Sequence, residues 1–178
     1  ILLFIHQGLA NDRLLFVPGE LADKDAVLFA NQTYHNLTAI GKENNVDIIM
    51  SAVADKITCG SLDSDQAVIE REIAKLKPKY VVFYSAYGLV GIRALNNTTN
   101  SSIEKVGLLD AALNGIPVFA NQKYMKMDPN CPATQQMDQK SNYAAEARNA
   151  IKYVAQRYEI IQFLSSDSQG INEIVSGL

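Results

Sequence analysis

The chain has 178 residues, about the length of one globular domain. Its 48% apolar and 20% charged content is ordinary for a folded protein and excludes an intrinsically disordered chain. A net charge of −3 argues against a broad nucleic-acid-binding surface, and no apolar run approaches the roughly 20 residues that a membrane-spanning helix needs. We therefore expect no nucleic-acid partner and no membrane segment.

Apolar runs alternate with helical periodicity along the whole chain. The helical segments are predicted at 23–44, 63–76 (opened by a capping box of Asp63 and Gln66), 101–114, 141–158 and 169–178. The LLFVP run at 14–18 also fits a short strand. Five strands are predicted between the helices, at residues 1–5, 46–50, 80–84, 116–120 and 160–164.

This alternation is typical of right-handed βαβ crossovers, which build a parallel sheet covered by helices on both faces. Five such units predict an α/β fold, a single three-layer, doubly wound, flavodoxin-like domain over residues 1–178 with a mainly parallel five-stranded sheet. The apolar run at 80–84 is expected at the buried centre of that sheet.

In an open parallel sheet, ligands bind outside the carboxyl ends of the strands. This rule selects five predicted loops, at residues 6–8, 51–60, 85–102, 121–140 and 165–170. In the fourth loop, Asp128-Pro129 and Cys131-Pro132 exclude a continuous helix, and two Met beside Tyr124 suit an apolar lid. We expect that loop to fold over the carboxyl edge next to the third.

The third loop, SAYGLVGIRALNNTTNSS, holds the most candidate groups. Its last seven small polar residues lead into a predicted helix N-terminus, which suits a phosphate or a sugar hydroxyl. The alternative, favoured because Ser, Thr and Asn are common at helix N-caps, is a solvated loop whose last Ser caps the helix. Neither G-x-G-x-x-G nor G-x-x-x-x-G-K-[S/T] occurs, and the first loop is not the Ser/Thr-rich loop that binds FMN, so no cofactor is predicted.

Glu104 is the sharpest single candidate. A carboxylate in the first turn of a helix at the carboxyl edge can serve as nucleophile or general base. The alternative is structural, because Ser101 and Glu104 have the spacing of a helix capping box.

The segment SSIEKVGLLDAALNGIPVF resembles a pattern of nucleoside deoxyribosyltransferases and related N-glycosidases, within residues 80–121. In that family a Ser/Thr-flanked Glu opens a helix that ends at a Gly-x-Pro-Val strand start, and here Ser101 or Ser102, Glu104, Gly107, Gly115 and Pro117-Val118 match. The resemblance implies that Glu104 attacks the anomeric carbon of a nucleoside. The interval of thirteen residues from Glu104 to Pro117 is about one helical turn longer than the family pattern, and HQGL replaces its N-terminal Gly-Pro element.

These observations predict a domain that binds a nucleoside or nucleotide, with Glu104 cleaving or exchanging an N-glycosidic bond. His6 or Asp55 would position sugar or base, and Ser85 or Asn97 would hydrogen-bond the ring substituents. The complete predicted substrate-binding set is His6, Gln7, Gly8, Asp55, Ser85, Tyr87, Asn97, Ser101, Ser102 and Asn121. No metal site is predicted, since Cys59 and Cys131 lack zinc-ligand spacing.

A second interpretation is a non-catalytic interaction or oligomerisation domain, which contacts a partner or a second copy through Tyr143, Tyr153 and Tyr158. A cytoplasmic location is expected, with two idle thiols rather than a disulfide. The alternative is a secreted glycoprotein. It rests on N-x-[S/T] sequons at Asn31, Asn36, Asn96, Asn97 and Asn100, in a chain with fourteen Asn.

Overall fold

The computed structural model describes residues 10–18, 24–55, 60–85, 87–99, 101–111, 113 and 130–163. Its strands are β1 (Asp12–Val17), β2 (Val46–Met50), β3 (Tyr80–Tyr84), β4 (Lys105–Leu109) and β5 (Glu159–Phe163). Its helices are α1 (Lys24–Asn44), α2 (Leu62–Leu76), α3 (Tyr87–Asn97), α4 (Pro132–Met137) and α5 (Asn142–Arg157), with a 3₁₀ turn at Ala52–Asp55.

The five strands form one sheet in the order β2-β1-β3-β4-β5, and all four neighbouring pairs are parallel. This is the flavodoxin-like strand order of doubly wound proteins. The predicted α/β fold class is therefore confirmed. Among the described residues, no helix combines the length and apolar character that crossing a bilayer requires.

Alternate side chains of β3 enter two apolar clusters, one on each face of the sheet. Val81 and Phe83 pack in the cluster formed with α2, α3 and α5, whereas Tyr80 and Val82 pack in the cluster that includes Leu37 of α1. These four residues of β3 are fully buried, and the last residue of the strand, Tyr84, is partly buried. The prediction that this run is the buried centre of the sheet is confirmed.

The predicted helix at 101–114 is wrong, because this segment contains the strand β4. Val106 and Leu109 fit a helical spacing, but Val106 to Leu109 are all buried because β4 lies between β3 and β5. A short apolar run cannot be assigned to helix or strand by periodicity alone, and here the two neighbouring strands decide. The first strand of the described sheet is β1, from the LLFVP run; predicted elements at 1–5, 116–120 and 169–178 lie outside the described residues.

The helix α3 corrects the predicted third loop. Its two glycines let it approach the sheet: a Cβ on Gly91 would lie 2.4 Å from the Phe83 ring, and one on Gly88 would lie 2.7 Å from the Cβ of Ala111. Glycine lowers helix propensity by about 1 kcal/mol, which hides this helix in the sequence. Close packing on β3 and β4 is what requires the two glycines.

Side-chain caps fix the ends of the helices around α3. Ser61 caps α2 and Ser141 caps α5, accepting hydrogen bonds from the N–H groups of Asp63 and Ala144. Ser61 thus replaces the predicted Asp63–Gln66 capping box. The Arg157 guanidinium donates to the carbonyls of Leu95, Asn96 and Thr98 at the end of α3, where a cation also complements the helix dipole.

The cysteine prediction is wrong. Cys131, which begins α4, is disulfide-bonded. Cys59 is the only other cysteine in the sequence and lies outside the described residues. The expectation of two idle thiols therefore does not hold.

Candidate functional site

Three polar residues directly follow strands at the carboxyl edge of the sheet: Ser51 after β2, Ser85 after β3 and Asp110 after β4. Tyr84 pairs with Leu109 in the parallel register, and the N–H of Ser85 donates to the carbonyl of Leu109 at 2.9 Å. Ser85 and Asp110 therefore stand side by side. The strand order reverses between β1 and β3, so this pair lies next to the position where doubly wound sheets bind ligands.

Ser85 and Asp110 both have a left-handed backbone, with φ values of 54° and 49°. For most residues other than glycine this region costs roughly 1–2 kcal/mol, and Asn and Asp adopt it more readily than other side chains do. Such strain persists where the surrounding structure enforces it, and it concentrates at ligand sites. Two adjacent strained positions at the carboxyl ends of central strands make this the leading candidate site, which we call the β3–β4 edge site.

The turn after β2 is held by a carboxylate. Ser51 is buried, and its hydroxyl donates to Oε2 of Glu72 at 2.5 Å, while Oε1 accepts from the N–H of Ala52 at 2.8 Å. The Ser51 hydroxyl also accepts from the N–H of Val53. Glu72 therefore fixes the backbone of the turn after β2, which is separated from the β3–β4 edge site by β1.

A second concave region, the helix-layer cleft, has a volume of about 450 Å³ and lies between the first turns of α2 and α5, with α4 on one side. Its floor is Arg93 of α3, whose guanidinium stacks 4.0 Å from the centre of the Tyr143 ring. Arg93 donates from Nε to the buried Gln66, ion-pairs with Glu146, and lies 3.7 Å from the Asp63 carboxylate.

The charged and polar side chains of the helix-layer cleft form hydrogen bonds and ion pairs with one another. The Ser61 hydroxyl, with Gln136 and Arg93, holds the pKa of the exposed Asp63 carboxyl below its usual value. Burial raises the pKa of Tyr143, whose hydroxyl donates to Gln66. These contacts hold α2, α3 and α5 together. We therefore interpret the helix-layer cleft as having a structural role.

The structure brings three of the predicted site residues to the carboxyl edge. Ser85 is in the β3–β4 edge site, and Asp55 ends the 3₁₀ turn after β2. Tyr87 begins α3 but is buried, and its hydroxyl donates to Asp65 at 2.7 Å, so its side chain packs α3 against α2. Four other predicted residues, His6, Gln7, Gly8 and Asn121, lie outside the described residues.

Asn97, Ser101 and Ser102 stand at the opposite, amino edge, because they follow α3 and precede β4. The amide of Asn97 donates to Glu70 and the hydroxyl of Ser102 to the carbonyl of Pro78. Their predicted placement at a helix N-terminus over the carboxyl edge is wrong, since the chain there enters a strand.

Glu104 shares that amino-edge position. It directly precedes β4, its side chain is 61% exposed, and its carboxylate lies 3.9 Å from the Lys79 ammonium. Its N–H donates to the carbonyl of Lys79 at 2.8 Å. No helix begins there, so the capping-box interpretation is wrong, and the placement that the nucleophile role requires is absent as well.

Asp110 is the residue that sequence reasoning missed. It was assigned to the interior of the predicted helix at 101–114, where an exposed acid needs no explanation. The available signal was an apolar run, VGLL, that ends in an acid. Reading that run as a strand would have placed Asp110 at the carboxyl edge.

The described part of the predicted fourth loop contains α4. The Oε1 atom of Gln136 accepts from the N–H of Leu62 at 2.6 Å, so α4 covers the start of α2 at the carboxyl edge. Residues 124–129, with the predicted lid, lie outside the described part. Of the three tyrosines proposed as partner contacts, Tyr143 and Tyr158 are buried and only Tyr153 is exposed, at 52%. Among the described residues no His, Cys, Asp and Glu cluster could hold a metal ion.

No protein-family model and no curated protein matches the chain. Among solved structures, a GDP-L-fucose synthetase from Naegleria fowleri shares 13% identity over 87% of this chain and 49% of its own, with a TM-score of 0.39. The chain thus spans about half the length of that protein.

Two further solved structures cover more of their own length. A catalytic mutant of the acetylxylan esterase Axe2 from Geobacillus stearothermophilus shares 12% identity over 94% of this chain and 81% of its own, with a TM-score of 0.41. An azoreductase from Bacillus anthracis str. Sterne shares 14% identity over 93% and 94%, with a TM-score of 0.37. At these values none of the three assigns the chain to a family or an activity.

Proposed function

We propose that the β3–β4 edge site binds a small polar molecule of the nucleoside class. The observation that carries this proposal is the pair of left-handed non-glycine residues, Ser85 and Asp110, at neighbouring strand ends. They lie beside the point where the strand order reverses, which is the general ligand position of this topology.

The charge at the strand ends favours an uncharged ligand over a phosphate. Ser51, Ser85 and Asp110 follow β2, β3 and β4, and within the described ranges the charge carried by these three residues is negative. A carboxylate accepts hydrogen bonds from hydroxyl and amino groups and repels a phosphate. The ribose hydroxyls and the base amino group of a nucleoside supply such donors, whereas a nucleotide adds a repelled group.

Cleavage of an N-glycosidic bond would require a carboxylate next to the sugar. Asp110 is at the edge where the ligand is proposed to bind, and Glu104 is at the other edge. Any such chemistry is therefore assigned to Asp110 as nucleophile or base.

The test is a thermal-shift and calorimetric titration with adenosine, guanosine, cytidine and uridine, each compared with its monophosphate. A nucleoside at 100 times its dissociation constant adds about 2.7 kcal/mol of stability. For a chain of this length that is a rise in Tm of roughly 5–10 °C. The monophosphates should bind more weakly.

Two variants distinguish the edges. Asp110→Asn removes the charge with little change of shape and should weaken nucleoside binding about tenfold or more, as expected for losing a charged hydrogen bond of roughly 1.5–3 kcal/mol. Glu104→Gln is the matched control at the amino edge and should bind as the parent does. The proposal is wrong if no nucleoside binds, or if Asp110→Asn binds with unchanged affinity.

A further inference from the structure

We infer that this chain matures in an oxidising, glycosylating compartment and carries N-linked glycans on Asn36 and Asn96. The first observation is the disulfide of Cys131. Disulfides form and persist in secreted proteins and in the secretory pathway, and are rare in the reducing cytosol. The disulfide therefore favours the secreted interpretation over the cytoplasmic one.

The second observation is independent of the first and concerns the sequons. Asn36 begins Asn-Leu-Thr on α1, and Asn96 begins Asn-Asn-Thr in the last turn of α3. Both asparagines are exposed, while the residue after Asn36, Leu37, is fully buried in the core. A glycan on either asparagine would project into water, and on Asn36 it would do so without disturbing the buried Leu37.

The sequons of Asn96 and Asn97 overlap, and the contacts of Asn97 indicate which of the two asparagines is the acceptor. Asn97 begins Asn-Thr-Thr, but its Nδ2 donates to Oε1 of Glu70 on α2 at 3.0 Å. A sugar on Asn97 would be attached to the same nitrogen that contacts α2. In the described part of the chain, no hydrogen bond uses the side-chain amide of Asn96, so we assign the glycan to Asn96 and not to Asn97.

The covalent step needs a polyprenyl-diphosphate-linked oligosaccharide as co-substrate. The asparagine Nδ2 forms a bond to C1 of the first sugar and loses one proton. The bond between that C1 and the diphosphate oxygen breaks, and the polyprenyl diphosphate leaves with the electron pair. No oxidation or reduction occurs in this transfer.

The positions of the two asparagines are compatible with the proposed ligand site. Asn96 is at the carboxyl-terminal end of α3, on the amino edge of the sheet, whereas the β3–β4 edge site lies at the opposite edge. Asn36 is on α1. Through Leu37 this helix packs against one face of the sheet, and α2, α3 and α5 pack against the other face. Neither glycan would cover Ser85 or Asp110.

The experiment is peptide mass spectrometry of the protein purified from its native source, after peptide-N-glycosidase F treatment in ¹⁸O-labelled water. The enzyme converts a glycosylated asparagine to ¹⁸O-labelled aspartate, so we expect the label at positions 36 and 96 and unlabelled asparagine at 97. Alkylation of the unfolded, unreduced protein should also find no free thiol.

Variants expressed through a eukaryotic secretory pathway refine the assignment. Asn97→Gln keeps the Asn96 sequon and should leave the electrophoretic shift on deglycosylation unchanged, whereas Asn36→Gln and Asn96→Gln should each remove one glycan. Asn149→Gln, which is in no sequon, is the control for the substitution itself. Unmodified asparagine at both 36 and 96 in the native protein would overturn the inference, and a glycan on Asn97 in place of Asn96 would overturn the site assignment.

Discussion

The two edges of the sheet use the same unusual backbone conformation for different purposes. At the amino edge, Asn45 and Lys77 have left-handed φ values of 56° and 48°, and each directly follows a helix. A left-handed residue is the ordinary way to end a helix, and Lys77 does so with its N–H donated to the carbonyl of Ile73. At the carboxyl edge, Ser85 and Asp110 directly follow strands, where no helix needs ending.

The charges of the two edges differ in the same way. At the amino edge Lys79 contacts Asp12 at 3.0 Å and lies near Glu104, and Arg13 donates to the last carbonyl of α2, on Leu76. These groups hold elements together. The comparison shows that a left-handed residue or a carboxylate is informative about function only after its structural role has been accounted for.

The largest effect is expected where α3 supports the carboxyl edge. Gly91→Ala places a methyl group 2.4 Å from the buried Phe83 ring and should lower the free energy of unfolding by about 1–3 kcal/mol through overpacking. Urea denaturation measures this. Phe83→Leu should recover part of the loss when combined with Gly91→Ala; equal and additive losses would show that the two side chains do not meet.

A medium effect is expected at the serines of the two edges. Ser61→Ala removes the cap of α2 and should cost about 1 kcal/mol, within the range for N-caps. Ser102→Ala is the matched change at the amino edge, where the exposed serine donates only to the Pro78 carbonyl, and it should cost less. Equal midpoints in a denaturant titration would contradict this difference.

Glycine substitutions test the comparison directly. Since glycine adopts the left-handed region without a steric penalty, Lys77→Gly should leave stability unchanged or raise it by up to about 1 kcal/mol, whereas Asp110→Gly relieves the same backbone strain but also removes the contacts of the Asp110 side chain. Their effects on nucleoside binding should differ, because only Asp110 belongs to the proposed site. Loss of binding in Lys77→Gly, or retention in Asp110→Gly, would remove the distinction between the edges.

The smallest effect is a pair of opposite pH dependences. The pKa of Asp63 is lowered chiefly by Ser61, so its stabilisation is complete above the ordinary value of 3.8 and is lost as the pH falls through the lower folded value. Asp63→Asn should therefore cost a few tenths of a kcal/mol at neutral pH, since the group is exposed, and nothing in strong acid. Denaturation at both pH values measures this.

Lys79 provides the counterpart at the amino edge. Its pKa is raised chiefly by the hydrogen bond to Asp12, so its stabilisation is present below the ordinary value of 10.5 and is lost as the pH rises through the higher folded value. Lys79→Gln should differ from the parent at neutral pH and converge with it in strong alkali. A difference that persists there would assign the effect to packing.

The sequence predicted those strands whose apolar runs stand between clear breaks. Residues 46–50 and 80–84 were found with their observed bounds, and 160–164 was found within one residue. The segment of β4 was wrongly predicted as a helix, and the segment of α3 was wrongly predicted as a loop. For β4 the deciding interaction is distant along the chain, because β4 pairs with β5 some 54 residues later. For α3 it is the close packing of Gly91 on the Phe83 ring of the preceding strand, which periodicity does not show.

The candidate site was harder to predict for the same reason. The rule that ligands bind at the carboxyl ends of strands was applied to the correct ends of β2 and β3, but the carboxyl end of β4 was missed because its segment was predicted as a helix. Because Lys105–Leu109 is a strand and not part of a helix, Glu104 lies at the amino edge and Asp110 lies beside Ser85 at the carboxyl edge. Whether this one segment is assigned to a helix or to a strand therefore decides whether Glu104 or Asp110 is the candidate functional residue.

The strand order also has a consequence for the synthesis of the chain. The interior strand β1 pairs with β2 and β3, and the register joins Leu14 to Tyr80. At about 5–20 residues per second, a ribosome needs several seconds to make β3 after β1 is complete. During that time the β1–β2 pair presents a bare edge lined by apolar side chains that the finished sheet buries completely, a template for pairing with other nascent chains. We therefore expect the unfinished chain to depend on a chaperone until β3 leaves the exit tunnel.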